Sequence, residues 1–334
     1  MELSCRGAPS ETRHHYRTTI AWTASPLSTL YMPKPDENLP LKWYRCASIQ
    51  RHAVFFPDLC LCNPVKGLQV IDIHCHILPG LDDGAKDLEH SLEMARIAVL
   101  DGISGIVCTP HMSPHYPGNN RDVVLAAVDE LRTGLAEEGI ELALYPGCEL
   151  AMDSDLPERI EAGELLTFND NGNAALVEMP LEMIPTHMST FLWKMQVRGI
   201  TPILAHPERN RYLVHNPSIL LGWVEAGALV QVTGNSLRGH YGERVRDFSL
   251  KLLEHKAAHL VASDSHSADR RRPVLSKARE IVDATVGAEE ARKIFDEYPA
   301  EILDGRIPDV ESVIPLEKEK KSFIRRIMGR LELI

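Results

Sequence analysis

The strongest constraint on this chain is where its metal-ligand residue types fall. From Leu68 onward, short apolar runs alternate with stretches of helical period, and six of the seven runs end in His, Asp or Glu. The runs Leu68–His74, Ile103–Thr109, Glu141–Tyr145, Ala174–Glu178, Thr201–Ala205, Leu229–Thr233 and His259–Ser263 predict strands. Between them, Asp87–Leu100 predicts a helix with Leu88, Leu92, Ala95 and Val99 on one face. Arg121–Glu138, Pro185–Arg198, Pro217–Ala226, Arg244–Lys256 and Pro273–Thr285 carry the same period. Strands that alternate with helices imply a parallel sheet. No Gly-x-Gly-x-x-Gly follows any strand, which disfavours a dinucleotide fold. The expectation is an α/β protein: a distorted (β/α)7 barrel, TIM-barrel-like, with a metal site at the strand C-termini.

The strand ends supply a ligand set. His74 and His76 are two apart, so on a strand they share one face while Cys75 points away. Asp82-Asp83-Gly84 follows in the next turn. Later strands end in His111, Glu149, Glu178, His206 and the pair Asp264 and His266. A lone His at a barrel rim is usually an ordinary polar residue, but two same-face pairs with single ligands between them argue for convergence. Asp83, Glu149, Glu178 and Asp264 with up to five imidazoles exceed what one zinc ion takes. They suit two or three divalent ions, with manganese, iron or zinc preferred over calcium or magnesium. Four carboxylates in one pocket would repel strongly without cations. Arg209, three residues after His206, is placed to clamp a phosphate; an ion pair with Glu208 is the plainer alternative. Gly234-Asn235-Ser236, after the sixth strand, suits either a phosphate contact or a capped turn.

Charge and cysteine content narrow the function. Residues 71–305 hold 21 basic against 37 acidic residues, a net −16, which disfavours nucleic-acid binding and favours multivalent cations. Seven cysteines without a secretory signal argue against a disulfide framework, and no Cys-x5-Arg phosphate cradle exists. No apolar stretch is long enough to span a membrane, so a cytoplasmic protein is expected. Residues 1–69 are rich in Pro, Ser and Thr without periodicity. They are expected to be a disordered extension, or sequence upstream of a true start at Val70. Residues 306–334 are expected to form a basic amphipathic tail, with Lys320, Lys321, Arg325, Arg326 and Arg330 among Phe323, Ile324, Ile327 and Met328. Such a tail suits a solvated helix or weak contact with a membrane surface.

The stretch from Asp72 to Ala85, containing His74-Cys75-His76 and Asp82-Asp83-Gly84, resembles the opening of the polymerase-and-histidinol-phosphatase (PHP) family. More narrowly, it is similar to the bacterial tyrosine-protein phosphatases of capsular and exopolysaccharide clusters. Thr109-Pro110-His111, Pro146-Gly147-Cys148-Glu149, Ala205-His206-Pro207-Glu208-Arg209-Asn210 and Ala262-Ser263-Asp264-Ser265-His266 match that subfamily in order, over about residues 70–305. The resemblance implies a PHP-type barrel and a three-metal centre, usually of manganese. It implies ligand roles for His74, His76, Asp83, His111, Glu149, Glu178, His206, Asp264 and His266. It implies phosphate contacts for Arg209 and Arg271, and catalytic assistance from His206 or Asp264. The implied reaction is hydrolysis of phosphotyrosine, on a tyrosine kinase of polysaccharide export. A small phosphate monoester such as histidinol phosphate is the alternative substrate, and a non-catalytic metal-binding partner module is the alternative of another class.

Overall fold

A computed structural model describes residues 70–315 of the chain. The expected extension 1–69 and the amphipathic part of the tail, residues 316–334, lie outside the described residues. Among the described residues, no helix is long and apolar enough to cross a membrane.

The strands are β1 (Val70–Cys75), β2 (Ile103–Cys108), β3 (His111–Met112), β4 (Ala143–Pro146), β5 (Glu149–Ala151), β6 (Ala174–Glu178), β7 (Thr201–Ala205), β8 (Leu229–Thr233) and β9 (Leu260–Ala262). Every pairing between them is parallel. They form a sheet of order β1-β2-β4 and a second of order β3-β5-β6-β7-β8-β9. Nine strands stand where seven were expected, because β3 and β5 resume the chain just beyond the expected ends at Thr109 and Tyr145. Pro110 has no amide hydrogen to give a ladder, and the chain breaks between β2 and β3 at Thr109-Pro110. The next strand breaks at Gly147-Cys148. Its lower half, β4, pairs with β2, and its upper half, β5, pairs with β3 and β6. The two sheets thus share two strand lines, which is how seven lines become a distorted barrel.

The remaining seam lies between β1 and the end of β9. Asp264 N donates to His74 O at 2.8 Å, and His76 N donates to Ser265 O at 2.8 Å. A buried side chain supplements the backbone here: Asp72 accepts from Ser263 N at 2.9 Å and from Ser263 Oγ at 2.5 Å. Burial pushes the Asp72 carboxyl up to about 6 despite these bonds.

Two helices illustrate how local sequence sets the frame. In α1 (Leu88–Asp101), Asp87 caps the N-terminus by accepting from His90 N, and Gly102 ends the helix in the left-handed region at φ 94°. Its buried face is Ser91, Leu92, Met94, Ala95 and Ala98. Val99, expected on that face, is 38% exposed, because the stripe steps by three rather than four residues in the last turn. In α2 (Arg121–Glu137), Asn120 caps by accepting from Val123 N.

The period of two along the strands sets apolar residues beneath polar ones. Leu176 precedes Glu178 on one face of β6, and Leu229 precedes Gln231 on β8. Val107, Leu176, Ile203 and Leu260 form one apolar cluster with Tyr298, Ile302 and Leu303. A larger cluster joins the helices to the sheet, with Met94, Leu131, Leu150 and Phe295 among its fully buried members.

His259 immediately precedes β9, at the end of the strand opposite Asp264. Its Nδ1 accepts from Val230 N at 3.1 Å, and burial alone lowers its pKa to about 4. The unfolded chain binds a proton here near pH 6.5 and the folded chain does not, so stability is lost as pH falls below that value. Between pH 7 and pH 5 this site should cost about 2 kcal/mol of unfolding free energy. Denaturant unfolding at both pH values should show a smaller loss in His259→Asn; an equal loss would refute the assignment.

Candidate metal centre

Each strand line but β8 delivers a ligand-type side chain to one rim. Glu149, at the start of β5, is fully buried and lies at the centre. Its Oε2 is 3.3 Å from His74 Nε2, 3.3 Å from His76 Nε2 and 3.0 Å from His111 Nδ1. Its Oε1 is 3.0 Å from His206 Nε2. Glu178 Oε2 approaches His111 Nδ1 at 3.7 Å. Asp264 Oδ1 lies 3.6 Å from His74 Nε2 and 3.6 Å from His266 Nδ1. Asp83 Oδ1 lies 3.6 Å from His111 Nε2 and 3.5 Å from His266 Nε2.

All nine residues expected as ligands therefore meet. They fall into overlapping groups able to hold a metal ion: His76, Asp83, His111 and His266; His74, His76 and Glu149; His74, His206 and Asp264; His111, Glu149 and Glu178.

Backbone geometry places several of them. His206 and Asp264 occupy the left-handed region, at φ 33° and φ 50°. For a residue with a Cβ such a conformation costs about 1–3 kcal/mol and persists only where its surroundings fix it. Gly84 lets the Asp82-Asp83 turn fold onto His76, because a Cβ at that position would stand 2.1 Å from His76 O.

The electrostatics show what the cluster demands. Burial alone would raise the Glu149 carboxyl, but His74, His111 and His206 hold it well below the usual range. Burial would also raise Asp264, and His74, His206 and Arg271 reverse that. Burial opposes charge on His76, yet the bond to Asp82 and the nearby Glu149 carboxylate raise it to about 10. His74 is likewise raised by Glu149 and Asp264 against burial.

The donor set fits divalent cations. His74 Nδ1 faces Gln231 Oε1 at 2.9 Å, and His76 Nδ1 faces Asp82 Oδ2 at 2.7 Å. With these nitrogens donating, both Nε2 lone pairs turn inward, the tautomer a metal ligand needs. The two Nε2 atoms then face each other at 3.1 Å, beside a Glu149 Oε2 that is buried without a hydrogen-bond partner. Like-poled acceptors this close are stabilised by a cation between them.

Asp82 and Gln231 were not singled out from sequence as supports for ligands. Asp82 sits beside Asp83 and carried a signal only as a second acidic residue; it also accepts from His111 N at 2.9 Å. Gln231 lies in mid-strand, where nothing marks it as polar support.

Arg209 NH1 donates to Asp264 Oδ2 at 2.8 Å, and Arg271 NH2 reaches the same oxygen at 2.6 Å. The guanidinium of Arg209 also lies over the Tyr241 ring, 4.7 Å from its centroid. Arg209 thus faces the cluster rather than Glu208. Glu208 is buried and accepts from Thr233 N at 2.9 Å and Ser236 Oγ at 2.6 Å, which pins the turn that carries His206 and Arg209. Gly234-Asn235-Ser236 opens the short helix Gly234–Leu237, with Ser236 committed to Glu208 and Asn235 to His240 at 2.8 Å. The segment is a short helical turn whose N-cap residue, Thr233, makes no side-chain cap bond, so the expected cap is not formed.

A sequence profile of the family described as "Capsular polysaccharide synthesis, CpsB/CapC" matches residues 70–304. The tyrosine-protein phosphatase YwqE of Bacillus subtilis is 39% identical over 220 residues, which span 66% of this chain and 86% of that protein. The tyrosine-protein phosphatase CpsB of Streptococcus pneumoniae is 28% identical over 239 residues, 70% of this chain and 98% of that protein. A solved structure from work on YwqE and CpsB, described as unique metal-dependent tyrosine phosphatases, superposes with a TM-score of 0.71 at 36% identity. It covers 74% of this chain and 100% of its own. The chain belongs to the CpsB/CapC family of capsular polysaccharide synthesis.

Proposed function

We propose that the chain is a metal-dependent protein-tyrosine phosphatase. The observation that carries the proposal is the convergence of nine imidazole and carboxylate ligands at one rim, with two arginines on the same Asp264 oxygen. His74, His76, Asp83, His111, Glu149, Glu178, His206, Asp264 and His266 would hold two or three divalent ions, manganese foremost. Ions held there supply Lewis-acid charge and acidify water at neutral pH.

The chain's own residues do the rest. Arg209 and Arg271, already aimed at an anion, bind the phosphoryl oxygens and take up charge as the transition state forms. Asp264 stays ionised under the influence of His74, His206 and Arg271, so it holds cations and guanidinium groups rather than donating a proton. His206, fixed by Glu149, belongs to the same ligand shell. The tyrosyl leaving group has a pKa of about 10 and departs with less protonation than an alkoxide requires.

Catalysis then belongs to residues 70–305, in the cytoplasm. A tyrosine kinase of polysaccharide export is the favoured phosphoprotein substrate. The basic tail 306–334 is the segment suited to a membrane surface, and residues 1–69 lie outside the catalytic unit.

Chelation should abolish hydrolysis of a phosphotyrosyl peptide, and added manganese should restore it. Activity that survives complete metal removal, verified by elemental analysis, would sink the mechanism. Arg209→Ala should lower kcat/KM on that peptide by about 10²-fold with metal content intact. Asp82→Ala should weaken metal affinity by about 10–100-fold, read by competition with a chromogenic chelator, because it frees the His76 ring.

A further inference from the structure

The domain pairs most of its arginines. Of the 16 arginines among the described residues, 12 stand in ion pairs with Asp or Glu. The other four, Arg238, Arg244, Arg270 and Arg272, are exposed and form no ion pair with a described residue. They are not scattered. Arg238 and Arg244 lie in the segment after β8, and Arg270 and Arg272 in the segment after β9. Tyr241, between the first two, lies under the Arg209 guanidinium at 4.7 Å. Arg271, between the second two, reaches Asp264 Oδ2 at 2.6 Å. Each unpaired couple thus brackets a residue already at the metal centre.

The acids nearest in sequence are engaged elsewhere. Glu243 pairs with Arg246 at 3.7 Å, and Asp269 accepts from Arg270 N at 2.7 Å. Arg238 NH1 donates to the neutral Asn235 Oδ1 at 3.2 Å. Arg244 stands in the first turn of the helix Glu243–Glu254, where the helix dipole adds to its positive potential instead of offsetting it. Across the rim the sign reverses, and the segment after β5 exposes Asp153 and Asp155.

We infer that Arg238, Arg244, Arg270 and Arg272 form a docking lip for an acidic polypeptide segment flanking the substrate phosphotyrosine, with Asp and Glu side chains as its contacts. The inference rests on the phosphatase reading and adds the character of the protein acted on. A guanidinium offers two parallel donors that match a carboxylate. Residues 71–305 carry a net −16, so the long-range field repels an acidic chain. Such a chain is held only where positive charge is concentrated and not already paired. A phosphoryl group on Arg209 and Arg271 places its neighbouring residues beside the lip, because the four arginines flank Tyr241 and Arg271. A membrane surface laid on the same arginines would cover the rim and close the metal centre, which favours a polypeptide as the occupant.

The test uses the full manganese-loaded chain and two phosphotyrosyl peptides of equal length, one flanked by Asp and Glu, the other by Ser and Gly. The wild type should prefer the acidic peptide by about tenfold in kcat/KM, and added salt should shrink that preference. Arg238→Gln with Arg244→Gln, and Arg270→Gln with Arg272→Gln, should each cut the preference by about threefold through KM, with metal content at the wild-type level. All four substitutions together should abolish it. If the second pair loses metal because it adjoins Arg271, the first pair decides. A wild type without the preference, or a preference unchanged in the intact variants, overturns the lip and leaves the phosphatase reading standing. Binding to phosphatidylglycerol vesicles that the variants lose, with peptide preference unchanged, assigns the arginines to a membrane surface and also overturns the lip. A wild type that hydrolyses neither peptide overturns both readings.

Discussion

A buried carboxylate among four imidazoles is the interaction on which the rest of this structure depends. Glu149 has no access to water, and its two oxygens face His74, His76, His111 and His206 at 3.0–3.3 Å. An isolated carboxylate at such depth costs several kcal/mol, and only cationic partners repay it. Asp264 repeats the arrangement with Arg209 and Arg271 added. The rim is thus a place where negative charge is fixed first and positive charge must follow, as protons on histidine or as metal ions. Metal binding at such a site displaces protons from the same nitrogens, so it is coupled to pH.

The barrel is distorted where it has to be for that purpose. An uninterrupted second strand would carry Thr109 and His111 in one ladder with β1. Pro110 breaks it, and the upper half turns to pair with β5, which brings His111 opposite Glu149. Gly147 and Cys148 break the next strand at the corresponding level. On the other side of the rim, Asp72 replaces a missing stretch of ladder with side-chain bonds to Ser263, just before Asp264. The irregular seams all lie next to ligands, and the regular run from β6 to β8 supplies the frame against which they are held.

Much of this was legible in the sequence because ligands are recognisable by type. His and Asp or Glu at the ends of apolar runs announce themselves, and a spacing of two on a strand fixes a shared face. The choice of Asp83 over Asp82 rests on the family resemblance, in which the position just before Gly84 is the one that matches, and the structure turns Asp83 to His111 and His266. Supporting residues are less visible, because their role is defined by three-dimensional neighbours. Gln231 meets His74 across 157 positions of sequence. Glu208 reads as a charged neighbour of Arg209 until its burial shows that it anchors the turn instead. Strand breaks were equally hidden, since an apolar run looks the same whether its ladder is continuous or shared between two sheets. Arg271 lies within Arg270-Arg271-Arg272; the resemblance picks it out of the three, and it is the one whose guanidinium reaches Asp264.

If they bind phosphate as proposed, the two arginines would let an acidic domain receive an anion. The net charge of residues 71–305 is −16, so the mean field repels phosphate. Arg209 and Arg271 are held on Asp264 Oδ2 rather than in solvent, and Tyr241 covers one face of Arg209. Their positions are therefore set before substrate arrives, and little side-chain entropy remains to be lost on binding. A phosphoryl group entering beside Asp264 would share guanidinium donors that are already desolvated, in a site where each hydrogen bond is stronger than in water. The same carboxylate that orients the arginines also keeps them from binding anions indiscriminately, because an incoming group must bring enough charge, or meet enough metal, to compete with it. On the proposed roles of Arg209 and Arg271, selectivity for a doubly charged phosphate monoester over weaker anions would follow from the competition itself.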